Sequence, residues 1–88
     1  MRLIGRSKLR HPSKDASAWM TVWAAEIVAA QWKDINDVVL QFPKVKYDLK
    51  GEFVFIVANL NLVLKINIAF PQGIVVINDL REVKAHGC

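Results

Sequence analysis

Lys65, Arg81 and His86 are the residues of this 88-residue chain best suited to chemistry. Cleaving RNA without a metal takes a group that removes the proton of the ribose 2′-hydroxyl, cations that stabilise the phosphorane, and an acid for the leaving oxygen. His86 would serve as the acid or the base, and Lys65 and Arg81 would carry the electrostatics. The bland alternative for His86 is a frayed terminus. No glycine-rich phosphate loop, nucleophile elbow or paired catalytic carboxylates occur in the sequence. Two histidines and one cysteine do not make a zinc set, and His86-Gly-Cys88 would chelate only weakly. Neither a metal nor a cofactor is expected.

The elements that must hold these residues lie mainly in residues 53–77. Residues 53–58 are continuously apolar, as in a strand buried on both faces. In residues 59–68, Leu60, Leu62, Leu64, Ile66 and Ile68 take every second position, and Asn59, Asn61, Val63, Lys65 and Asn67 the alternate ones. A period of two puts the branched side chains on one face and a mainly polar row on the other. The break at Phe70-Pro-Gln-Gly73 leads to a third run, residues 74–77, which Asn78-Asp79 ends. An antiparallel meander with one apolar face to cover follows. The other face, carrying Lys65 and three Asn, meets water or binds something.

Ahead of it, Val45, Tyr47 and Leu49 alternate with Lys44, Lys46, Asp48 and Lys50, and Lys50-Gly51 makes a turn into the next strand. Such a lysine row protects an edge strand from aggregation; Lys44 and Lys46 are also candidate RNA contacts. Two helices would cover the apolar face. The first spans residues 14–31, capped by Ser13 or Asp15, with Trp19, Trp23, Ile27 and Ala30 toward the sheet. Met20, Val22, Ala24 and Val28 widen its apolar arc, so it is either wedged under another helix or offers a docking surface to a partner. The second starts at Asp34, where Asp37 resembles a capping box, follows Ile35, Val38, Val39 and Phe42, and closes at Pro43. Residues 1–4 form a short strand, residues 7–10 one helical turn, and His11 sits in an exposed loop before Pro12. The order is β-α-α-β-β-β-β: a single α+β domain over residues 1–88, a small antiparallel sheet with two or three helices on one face.

Charge is uneven. Arg2, Arg6, Lys8, Arg10 and Lys14 give residues 1–14 a charge of +5, while seven bases against eight acids leave −1 for the remainder, which sums to the net +4. A basic arm of this kind suits a polyanion such as RNA, so Arg2, Arg6, Lys8 and Arg10 are candidate phosphate contacts, against a merely solvated terminus. A 53 % hydrophobic composition provides a core and argues against disorder. Residues 16–30 are too short for a membrane span and are interrupted by Glu26. With no clean signal-cleavage pattern and a lone cysteine, a reducing cytoplasm is expected.

The sequence resembles the HigB branch of the RelE-type toxins, the ribosome-dependent mRNA interferases of bacterial toxin–antitoxin pairs. Met1-Arg-Leu-Ile-Gly-Arg-Ser-Lys-Leu-Arg10 looks like that family's opening strand and basic helix. Ala18-Trp19, then Val28-Ala-Ala-Gln-Trp-Lys-Asp-Ile-Asn-Asp-Val38, ending at Phe42-Pro43, looks like its helical middle. Phe53-Val-Phe55, Leu62-Val-Leu-Lys-Ile-Asn67 and Gly73-Ile-Val-Val-Ile77 are similar to its main strands. Arg81-Glu-Val-Lys-Ala-His86 looks like its closing segment, which implies that Arg81 and His86 line the active face. The resemblance implies a RelE-like fold, mRNA on the ribosome as substrate, growth inhibition as outcome, and neutralisation by a cognate helix-turn-helix antitoxin. The chain also departs from the family. Asn61 falls near a basic position, Asn78-Asp-Leu80 looks inserted, and no Tyr-bearing acidic stretch follows His86. These departures imply a truncated, weakened endoribonuclease, or alternatively an inactive relative that only binds an antitoxin-like partner or RNA.

Overall fold

The computed structural model describes residues 1–48, 50–57 and 61–82. Leu49, Asn59, Leu60 and His86, to which the sequence assigns places, lie outside the described residues. The elements are β1 (Arg2–Ile4), a 3-10 turn (Arg6–Lys8), α1 (Lys14–Ala29), α2 (Ile35–Gln41), β2 (Lys46–Tyr47), β3 (Glu52–Ile56), β4 (Leu62–Ala69) and β5 (Ile74–Glu82). They form an α+β domain whose five-stranded sheet has the order β1-β5-β4-β3-β2.

The sheet is mixed rather than antiparallel throughout, because β1 pairs parallel to β5 with Leu3 opposite Val75. Strands β2 through β5 follow one another in the chain with few residues between them, and each pairs antiparallel with the next. No short connection sets the direction of β1, which opens the chain and pairs with the last strand, with both helices and β2 to β4 between them.

Alternation along β4 holds over every described position: Leu62, Leu64, Ile66 and Ile68 are buried, while Val63, Lys65 and Asn67 are not. Phe53, Phe55 and Val57 on one side and Val75 and Ile77 on the other complete the inner layer. The strand expected to be buried on both faces is buried on one only. Ile56 is 52 % exposed, since both helices lie on the opposite face and nothing described covers it.

α1 begins where Ser13 Oγ accepts the Ala16 N–H at 3.3 Å. Its inward stripe is Ala16, Met20, Trp23 and Ile27, so the expected Trp19 and Ala30 give way to Ala16 and Met20. Both stripes share Trp23 and Ile27 at helical spacing, and the sheet selects the one that lets Trp23 meet Phe55 edge-on at 5.6 Å. Trp19 instead stacks on Trp23 from the half-exposed side. The helix stops at Ala29, two residues before the expected end. There the Met1 ammonium donates to the carbonyls of Val28 at 3.0 Å and Ala30 at 2.7 Å, placing a cation at the negative end of the helix.

Asp34 caps α2 by accepting the Asp37 N–H at 3.3 Å, and Asp37 Oδ2 reaches back to the Lys33 N–H at 2.7 Å. The capping box is thus present with its return bond one residue further out. Phe42 then packs edge-on against both Trp32 and Phe55.

Candidate nucleic-acid interface

Register decides which side chains share the open face of the sheet. In antiparallel ladders, directly opposed residues point the same way and alternate along each strand. Lys65 faces Asp79 on one side and Val54 on the other, and Val54 faces Lys46. The next row outward holds Arg81, Val63 and Ile56. The row on the other side holds Ile4, Val76, Asn67 and Glu52. With strands about 4.8 Å apart, Lys65 and Lys46 stand roughly 10 Å from each other at the backbone, and Arg81 lies on the diagonal beside Lys65.

This placement depends on one extra residue. Lys65 pairs with Asp79 while Ile66 pairs with Ile77, so Asn78 is bulged out of β5. Regular pairing would have turned Asp79 and Arg81 into the core and Leu80 out to solvent. The bulge keeps both charged residues on the open face and Leu80 against the core. It also lets β5 run to Glu82, beyond the stop expected at Asn78-Asp79. Asn78 Nδ2 donates to Asn67 Oδ1 across the strands, and its carbonyl accepts from Lys8 Nζ at 3.1 Å.

Of the expected catalytic residues, Lys65 and Arg81 therefore share one face, and His86 is outside the described residues. Arg81 is not a simple cation there: its Nε donates to Asp79 Oδ2 at 2.8 Å, with both groups substantially exposed. In water such a pair contributes about 0–1 kcal/mol, so it orients Arg81 more than it stabilises the fold.

The candidate phosphate contacts divide. Arg2 and Lys46 lie on the open face. Arg6 and Lys8 belong to the 3-10 turn, held beside β5 by the Lys8 bond and by Gly5, whose φ of +93° and close approach to the Ile77 carbonyl leave little room for a side chain. Arg10 is exposed in the connection that follows. Lys44 is separated from Lys46 and lines an apolar groove with Trp19, Phe42 and Phe55.

Sequence reasoning missed His11, which it placed in an exposed loop. Its Nδ1 accepts the Ser13 N–H at 3.1 Å, leaving Nε2–H to donate to Glu82 Oε1 at 3.0 Å. The two residues are 71 positions apart, and no local signal announces the pairing. Glu82 is opposite Leu62 and so leaves the strand on the helix side, which separates the His11 pair from the Lys65 face. It ties the basic N-terminal segment to the end of β5.

Aromatic rings are absent from the open-face rows among the described residues; Tyr47 and Phe53, in contact at 5.8 Å, belong to the inner layer. The face can therefore hold phosphates through cations and amides but offers no ring on which bases would stack. No group of three or more His, Cys, Asp or Glu that could hold a metal ion occurs among the described residues. No helix there is long and apolar enough to cross a membrane. No protein-family model matches the sequence, and no curated protein matches it.

Proposed function

We propose that this chain is a toxin-type domain of the HigB branch that binds messenger RNA across the open sheet face and cleaves it weakly. The supporting observation is the convergence of Lys65 and Arg81, with Lys46, Asn67 and Asn78, on one uncovered face. In this reading phosphate oxygens engage Lys65 and Arg81, which also stabilise charge developing at the cleaved phosphate, and His86 moves the proton. A cognate antitoxin, proposed to be a helix-turn-helix protein, neutralises the chain by covering the same cations. The reaction belongs on the ribosome in the cytoplasm.

The alternative is a relative that binds RNA without cutting it. The engagement of Arg81 by Asp79 favours this reading, because the carboxylate occupies Nε–H and offsets the charge of the guanidinium, leaving a phosphate only the Nη donors. Primer extension on ribosome-bound message separates the two. Cleavage lost in Lys65→Ala, Arg81→Ala and His86→Ala supports the enzyme. Salt-sensitive RNA binding without cleavage supports the binder. Neither binding nor cleavage would remove the RNA role altogether.

A further inference from the structure

A second surface runs along the helices and meets the open sheet face only at Ile56. One groove of about 320 Å³ is lined by Trp19, Phe42, Val45, Phe55 and Ile56, and Lys44 stands on its wall. A second, of about 400 Å³, continues it across the shared Trp19 and Phe42 to Val22 and Glu26. Val22 is 59 % exposed, and α2 does not cover it. Next to these residues Trp23 is buried, and its Nε1 has no acceptor among the described residues. The rim of this apolar surface carries one acid, Glu26, and one base, Lys44.

The charges on the rim identify what fits. Glu26 stands in the part of the groove beyond Trp19 and Phe42, and Lys44 in the part before them. A surface with an acid on one side of an apolar centre and a base on the other is complementary to itself under a two-fold rotation. We infer that a second copy of this chain covers the groove. Trp19 and Phe42 lie near the axis, and Glu26 of each copy meets Lys44 of the other. The row Ala18, Val22, Glu26 on α1 has the i, i+4, i+8 spacing of a packing ridge, and its small first member permits close approach of the partner helix.

The test is sedimentation of the full chain over about a hundredfold range of concentration, where mass action makes a dimer visible as a doubling of mass. Val22→Asp, at an exposed position, should give a monomer with an unchanged circular dichroism spectrum. Glu26→Lys and Lys44→Glu each create two like-charge contacts per dimer and should each weaken association roughly tenfold. Mixing those two variants recreates both opposite-charge contacts only if the interface is isologous, so the mixture should regain wild-type association. A mixture no better than its components would overturn the inference. So would a chain that stays monomeric throughout, including one whose Trp19 emission responds only to an added apolar helical peptide.

Discussion

Arg81 and Asp79 sit two residues apart on the same strand and the same face, joined by a 2.8 Å bond from Nε to Oδ2. The cation that a phosphate would use is thus already held by a carboxylate, and the carboxylate itself lies directly across the ladder from Lys65. Asp79 thereby offsets part of the positive charge of Lys65 and Arg81 on the open face.

Replacing it should therefore strengthen binding of polyanions. Asp79→Asn adds one net positive charge and releases Arg81, so RNA affinity at low salt should rise several-fold. The slope of log affinity against log salt should steepen by about 0.7 if one more phosphate of a single strand is contacted. Arg81→Ala should do the reverse. Fluorescence anisotropy across a salt series reads both, and an unaltered slope in Asp79→Asn would place RNA elsewhere.

Leu64 is fully buried at the centre of β4, opposite Phe55 and Leu80. Leu64→Ala should cost about 2–5 kcal/mol, a large part of the stability of so small a domain. Urea unfolding is the measurement, and a midpoint equal to wild type would contradict the register.

Deleting Asn78 should be tolerated. The bulge would close into a regular ladder with Asp79 still opposite Lys65 and Leu80 still inward. Only the Lys8 bond and the Asn67 amide contact, both exposed, are lost, so stability should change by about 1 kcal/mol or less. Collapse of the fold on deletion would mean that β5 pairs without a bulge.

His11→Ala should cost about 1–2 kcal/mol, because two hydrogen bonds that hold the segment before α1 disappear together. Glu82→Gln retains an acceptor for Nε2–H and should cost less. Amide hydrogen exchange should show faster opening at residues 6–13 in His11→Ala, with the β4 amides little changed.

What the sequence determined by itself was local. Alternation at residues 62–68 marks a one-sided strand because the pleat has period two. Ser13 and Asp34 mark helix starts because their side chains reach N–H groups three residues on. Element order, and hence an α+β domain with helices on one face, follows from these signals. The tertiary structure decided everything that depends on pairing between distant residues. The parallel docking of β1, the inward turn of Met20 rather than Trp19 and the separation of Lys44 from Lys46 belong to this class. So does the candidate site, since Lys65 and Arg81 share a face only because Asn78 shifts the register by one residue. A run of residues states its own period, but the residue that starts or interrupts that period across a ladder is set by its partner strand.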